Sequence, residues 1–368
     1  CKDVREVAAK DCVFMNYSNP MAMLTWACNT YGGVETIGLC HGVHGSWQQI
    51  ADVLKLPMGE LDVTAAGINH QTWFVSVKHR GKEMTPRLLK AFEKHPVYSK
   101  TEKVRIDMLR RFGYYTTESN GHVSEYVPWY RKRPREIRNW IDLSSWINGE
   151  TGGYLRICTE GRNWFKADYK NWLKEPAPVI GNENRSTEHG SYIVEAIETG
   201  RIYRGHFNVP NRGIIPNLPP DCIVEAPGYV DGNGLSMAAT GALPLACAAT
   251  CNVSVQVQRI AVEAAVHGDA TLLKQAMLHD PLVAACCNPP EIWQMVDEML
   301  VAQADWLPQY VREVRLAKRR LAREKQLGTK KGTGAARLKV QSVKELRKNA
   351  AAATKKAAGD RARARKAN

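Results

Sequence analysis

Residues 12–45 read CVFMNYSNPMAMLTWACNTYGGVETIGLCHGVHG, and this stretch decides the fold. Cys12-Val13-Phe14-Met15 is a short apolar run of the kind that forms a buried strand, and it stops at Asn16-Tyr17-Ser18-Asn19-Pro20. A helix is predicted over Met21–Thr30, with Thr36-Ile37-Gly38-Leu39-Cys40 as the next strand. Upstream, Lys2–Lys10 has the pattern of a short amphipathic helix. Helix and strand alternating through short loops is the mark of a parallel α/β sheet. Such sheets take their ligands at the C-terminal ends of their strands, and the polar clusters Asn16–Asn19 and Cys40–Gly45 fall there.

Downstream the period changes to two from Leu61 to Met84, with Arg80-Gly81-Lys82 as a hairpin turn. Helices are predicted over Thr101–Phe112, over Ser186–Gly200 with a Ser cap and a Gly stop, and over Val255–His267 and Ala270–His279. A Trp- and Tyr-rich stretch up to Tyr130 reads as irregular. A last amphipathic helix is expected from near Pro290 past Tyr310.

The 368 residues are 44% hydrophobic and include ten Trp, enough for a sizeable core. No run of eighteen apolar residues occurs, which excludes a membrane-spanning helix. The ten Cys are spread through the chain with no CxxC pair, and Cys12, Cys28, Cys40, Cys247 and Cys251 lie among apolar or small residues. This pattern suits a reducing compartment, the cytoplasm, rather than a disulfide scaffold. The net charge of +14 is local: from Arg312 onward twenty basic residues face four acids, while the remainder holds thirty-one against thirty-three. Beyond Leu327 the chain is dominated by Lys, Arg, Ala and Gly and has no aromatics, so residues 327–368 are expected to be a basic disordered tail. Contact with nucleic-acid phosphates is the alternative use of so basic a segment.

Four clusters carry chemistry-bearing residues. Asn16–Met21 places an Asn before a Pro at a strand end, and Gly38–Gly45 sets a thiol and imidazoles among glycines. Gly67-Ile68-Asn69-His70-Gln71-Thr72-Trp73 puts one His in a polar kink. Thr117–Lys132 crowds carboxylates, imidazole and phenols between aromatic faces, a composition suited to sugars. A thiolate with imidazole suits a borderline divalent metal or a nucleophile. Each cluster taken singly is as well explained by turns, caps and packing. No HExxH, GxSxG or paired acids appear. The residues alone therefore lead to an α/β enzyme with a Cys/His metal site.

In order along the chain, seven segments resemble the family-4 glycoside hydrolases: Asn16–Met21, Gly38–Gly42, Gly67–Trp73, Ser124–Tyr130, Glu188–Ile193, Asn217–Glu225 and Gly241–Pro244. His after Cys40 is similar to the α-galactosidase and α-glucosidase branch. The resemblance spans residues 1 to about 312. It implies the remnant of a lactate-dehydrogenase-like Rossmann domain over 1–60 and an α+β catalytic domain over 61–326. It also implies NAD and a divalent metal, usually Mn2+, in a homo-oligomer, dimer or tetramer. The family belongs to the glycosidases outside the two-carboxylate scheme. Its route oxidises C3 of the sugar by hydride transfer to NAD, removes the C2 proton, expels the aglycone, adds water and returns the hydride.

What the resemblance implies for this sequence is a metal held by Cys40 and His70, with Asn16 beside the cofactor and Asn19 and His122 on sugar hydroxyls. His41 matches the family's proton donor to the leaving group, and Tyr126, before Tyr130 or His122, its C2 base. The expected activity is α-galactoside hydrolysis, with α-glucosidase, α-galacturonidase and 6-phospho-glycosidase as alternatives, since Arg131 and Lys132 offer positive charge to an acidic sugar. A 2-hydroxy-acid dehydrogenase and a basic nucleic-acid-associated protein are the readings from other classes. The GxGxxG fingerprint is absent, and Gly232-Asn233-Gly234 lacks the strand–turn–helix setting. With Cys1 rather than Met at the start, the nucleotide-binding half is expected to precede this chain, which by itself should bind NAD weakly and turn over little.

Overall fold

The computed structural model of the protein describes residues 1–141, 164–177, 181, 185–323, 327 and 348. After α1 (Lys2–Val7), the parallel strands β1 (Phe14–Asn16) and β2 (Thr36–Gly38) pair Phe14 with Thr36 and Asn16 with Gly38. Between them run α2 (Met21–Ala27) and a π-helical turn over Cys28–Gly32, closed by Gly33 at φ +63°. α3 (Gly42–Leu54) leaves the end of β2. The long hairpin of β3 (Leu61–Ile68) and β4 (Gln71–His79) follows, with the short β5 (Lys82–Glu83) turned back on β4.

α4 (Thr85–Lys94), α5 (Tyr98–Thr101) and α6 (Lys103–Phe112) lead to β6 (Tyr115–Thr116), α7 (Asn120–Glu125), α8 (Pro134–Trp140) and α9 (Trp164–Trp172). α10 (His189–Thr199) then precedes β7 (Tyr203–Pro210), β8 (Ile223–Asp231) and β9 (Gly234–Met237). The last segment is helical: α11 (Leu245–His267), α12 (Ala270–His279), α13 (Pro281–Cys286), α14 (Pro289–Ala302) and α15 (Val311–Arg323).

One mixed sheet runs β1-β2-β7-β8-β3-β4-β5, with β6 added to β4 and β9 to β8. The predicted parallel pairing is β1 with β2; the other ladders are antiparallel. β2 joins the rest through Gly38 opposite Asn208, so strands on both sides of residue 60 share the sheet. Helices cover both faces. Ala66, Ile68 and Trp73 pack with Ala22 and Trp26 of α2 and with Cys247, Cys251 and Val255 of α11. Val63, Ala65, Phe74 and Val77 pack with Ile50 of α3, Leu88 and Phe92 of α4 and Leu109 of α6. Burying each such large side chain is worth roughly 1.5–3 kcal/mol.

Four expectations need correction. α11 starts at Leu245, ten residues before the predicted Val255: Cys247, Cys251, Val255, Gln258 and Val262 make one buried stripe that cysteines disguise, behind Pro244 as the cap. The last helix is two, because Pro308 cannot continue α14 and two 3₁₀ turns bridge to α15. The stretch read as irregular up to Tyr130 contains α7. The polar kink at His70 is the two-residue tip of the β3–β4 hairpin, with Ile68 opposite Gln71. The expected tail falls outside the described residues except at Leu327 and Lys348.

Candidate metal centre

Three segments converge at the ends of β2 and of the β3–β4 hairpin. Beyond β2, Leu39 donates its N–H to the carbonyl of Asn16 (3.0 Å), so the loop after β2 is bonded to the end of β1 before Cys40 is reached. Cys40 is buried, and the Gly42 N–H in the first turn of α3 donates to its sulfur at 3.3 Å. His189 holds the same residue from behind, its Nε2 lying 3.0 Å from the Cys40 carbonyl.

His70 sits at the hairpin tip with φ +64°. Histidine adopts this left-handed conformation more readily than most residues, at a cost on the order of 1 kcal/mol. β6 lies along β4, Trp73 opposite Thr116, and Thr117 extends the contact: its N–H donates to the Thr72 carbonyl (2.8 Å), and its hydroxyl accepts from the Thr72 N–H (3.2 Å). Glu118 is thereby delivered beside the hairpin tip. Ser119 caps α7, accepting from His122 N–H at 3.2 Å, and α7 presents His122 and then Tyr126 to the same place.

The resulting geometry is compact. Glu118 Oε2 lies 3.7 Å from Cys40 Sγ and 3.7 Å from His70 Nε2, and the three donor atoms are all within 4.8 Å of one another. His70 Nδ1 is 2.9 Å from the Tyr126 hydroxyl, so its two ring nitrogens face different partners. The His122 ring stacks on His70, with centroids 5.7 Å apart and planes at 13°, while Nδ1 of His122 meets Glu125 at 3.1 Å.

Burial pushes the Cys40 thiol well up, helped by the carboxyls of Glu225 and Glu118. Burial also lowers His70, against the pull of Glu118, which favours a neutral imidazole with a lone pair for a ligand. For Glu118 burial acts upward, but His70, His122 and His41 outweigh it and keep the carboxyl below its ordinary range. The hydrogen bond to Glu125 raises His122.

Glu225 of β8 is fully buried, and burial raises its carboxyl to about 7. The Thr72 hydroxyl donates to Glu225 Oε2 at 2.6 Å and the Asn208 amide to Oε1 at 3.2 Å, and both bonds oppose that rise.

The structure brings Cys40, His70, His122 and Tyr126 together. His41 adjoins them through Cys40 but is exposed, with Nδ1 3.7 Å from Glu188 Oε1. Asn16 and Asn19 lie at the end of β1. Asn16 is occupied locally, donating to the Met21 carbonyl (3.2 Å) and Thr25 hydroxyl (3.3 Å) and accepting from Ser18 N–H (3.0 Å). Asn19 is exposed and accepts from Met21 N–H at 3.3 Å. Tyr130 is not at this site. It is buried against Trp140, with its hydroxyl on Asp107 Oδ2 at 3.0 Å, a core position in place of the expected reserve base.

Glu118 was missed in the sequence. The cluster containing it was visible, but a two-residue strand gives no periodic signal, so its delivery to the hairpin was not.

Residues 1–56 match a family model described as family 4 glycosyl hydrolase, and residues 65–283 match the family 4 glycosyl hydrolase C-terminal domain. The chain is 58% identical to an α-galactosidase of Rhizobium meliloti, over 98% of this chain and 73% of the relative. It is 33% identical to an α-galactosidase of Bacillus subtilis, over 84% and 69%. The structure resembles a crystal structure of a 6-phospho-α-glucosidase from gut microorganisms in complex with NAD and Mn2+. The TM-score is 0.65 at 17% identity, covering 83% of this chain and 70% of that one.

Proposed function

The chain belongs to family 4 of the glycosyl hydrolases, and from that premise we propose that it hydrolyses α-galactosides with NAD and a divalent metal, Mn2+ first. One observation carries the reading: a thiol and an imidazole thirty residues apart point their donor atoms into one buried spot. Sulfur, imidazole nitrogen and a carboxylate beside them are a borderline donor set that suits a first-row divalent ion. For NAD, the chain offers the strand ends at Asn16 and Asn19, while the sequence has no glycine-rich phosphate turn. The parts assigned to the sequence are accordingly 1–60 to the NAD-binding domain and 61–326 to the catalytic one.

Cys40 and His70 would hold the metal. When bound, NAD supplies the oxidant for C3 of the sugar and the metal a Lewis acid for its oxygens. Tyr126 takes the C2 proton. With Nε2 given to the metal, His70 Nδ1 would carry a proton and donate it to the Tyr126 oxygen 2.9 Å away, which would orient the base. His122, whose charged form the hydrogen bond to Glu125 favours, donates to a sugar hydroxyl, and Asn19 binds another. His41 protonates the departing oxygen.

The sugar is read as neutral galactose. Arg131, one of two cations available for an acidic sugar, is buried on the Ser124 hydroxyl (2.7 Å), close to Glu125 (3.4 Å), which leaves Lys132 exposed. A cytoplasmic dimer or tetramer is the proposed form. Cys1, Cys12, Cys28, Cys40, Cys222, Cys247, Cys251 and Cys286 are free thiols, and no described helix is long and apolar enough to cross a membrane.

The test is a panel of 4-nitrophenyl α- and β-glycosides with NAD and Mn2+. The α-galactoside is expected to be preferred, with turnover lost in EDTA and recovered on adding Mn2+. Preference for a β-glycoside, or indifference to EDTA, would overturn the reading. Tyr126→Phe is expected to lower kcat about 10²–10⁴-fold. Its effect on Mn2+ affinity, as a change beside a ligand, should stay within about 100-fold. An unchanged kcat would remove Tyr126 from the role of base.

A further inference from the structure

We infer that Glu118 is a third protein ligand of the metal, which makes the centre a Cys40–His70–Glu118 site with its remaining positions left to substrate oxygens. The inference rests on the metal reading above and adds a residue to it.

Geometry comes first. Atoms bound to one ion at about 2.0–2.3 Å stand roughly 3–3.8 Å from each other. Glu118 Oε2 is 3.7 Å from both Cys40 Sγ and His70 Nε2, inside that range, and all three donors lie within 4.8 Å of one another. Its other oxygen is engaged elsewhere, accepting from the Ser119 N–H at 3.1 Å. Oε2 is therefore the oxygen left for an ion.

Charge gives the second argument. Glu118 is largely buried, and among the described residues its ion-pair contact is His70, with no Lys or Arg at salt-bridge distance. An inward-facing carboxylate whose close partner is an imidazole rather than a Lys or Arg leaves room for a metal cation to offset its burial. A divalent ion bound by the Cys40 thiolate, the Glu118 carboxylate and a neutral imidazole is balanced to zero net charge.

Space gives the third. A Cβ on Gly42 would stand 2.3 Å from Glu118 Oε2, so the carboxylate occupies the room that this glycine leaves. Gly42 also donates its N–H to the Cys40 sulfur, so one residue keeps two of the donors in place.

The experiment uses the whole chain and Co2+, whose near-ultraviolet charge-transfer band reports a thiolate ligand independently of turnover. Wild type should show the band, and Mn2+ should compete it away. Glu118→Gln is expected to keep the band and weaken Co2+ and Mn2+ binding at least about tenfold, the lower end of what even an outer-shell change costs. Gly42→Ala retains all three donors but displaces the carboxylate, a flexible tip that swings aside cheaply. It should weaken binding comparably, and the double variant should bind no worse than Glu118→Gln.

Wild-type affinity in both single variants would overturn the role of Glu118 while leaving the Cys40–His70 metal intact. Absence of the band from wild type would overturn the metal itself and Glu118 with it. If Glu118→Gln lowers the apo-protein Tm, Gly42→Ala decides.

Discussion

Serine in place of Cys40 is expected to abolish NAD- and Mn2+-dependent turnover, with Mn2+ affinity lowered by on the order of 10³-fold or more. The estimate follows from losing a charged first ligand, where outer-shell partners alone are worth about 10–100-fold. Serine has nearly the same shape, but its hydroxyl stays neutral, so both the thiolate–metal bond and one of two negative charges are lost. The buried thiol makes the effect pH-dependent in a defined direction. Burial, Glu225 and Glu118 hold Cys40 protonated at neutral pH, so binding an ion must expel that proton. Affinity should therefore rise about tenfold per pH unit from pH 6 to 8 in wild type, and this Cys40 contribution should vanish in Cys40→Ser. Electron paramagnetic resonance titration of Mn2+ at pH 6, 7 and 8 measures both. Wild-type affinity in Cys40→Ser would remove the thiol from the site.

Arg105→Met is expected to cause the largest loss of stability, about 3–5 kcal/mol. Arg105 is buried, and its guanidinium donates to the Thr116 carbonyl (2.9 Å), Gln49 Oε1 (2.7 Å), the Ser46 hydroxyl (2.6 Å) and Glu102 Oε2 (3.1 Å). It also lies over the Tyr115 ring, 4.3 Å from the centroid. Methionine fills much of the volume but leaves Glu102 a buried carboxylate without a cation. The pair stitches α3 and α6 to β6, two residues before Glu118, so metal binding should weaken along with the fold. Urea unfolding reads the stability and Co2+ titration the site. Adding Glu102→Gln should recover part of the loss, because the stranded charge is then gone. A loss under about 1 kcal/mol would mean the network is a solvated one of little worth.

How much of this was legible depends on how local the cause is. β1, α2 and β2 were readable within two or three residues because apolar runs, Pro20 and the glycines after α2 act over a few positions. Gly113, Gly200 and Gly268, all at positive φ, end α6, α10 and α11 in the ordinary left-handed way, and all three ends matched the predicted ones. Cys40 and His70 were flagged as candidates, but only the sheet order, with β7 and β8 between β2 and β3, sets them side by side. Glu118 depends on a two-residue ladder, and Tyr130 on the depth of the pocket beside Trp140. Neither has a sequence period to betray it.

The position of His70 on a hairpin tip also bears on which length changes this protein can accept. Eight paired positions run from Leu61 opposite His79 to Ile68 opposite Gln71, with one extra residue absorbed near Thr64 and Ala65. Adding or deleting a single residue anywhere along that ladder rotates the tip by half a period and sends the imidazole to the opposite side of the sheet. The same edit at Arg80-Gly81, the far end of β4, only enlarges a surface turn. Evolution of this chain should thus keep the first hairpin at fixed length while freely lengthening the second.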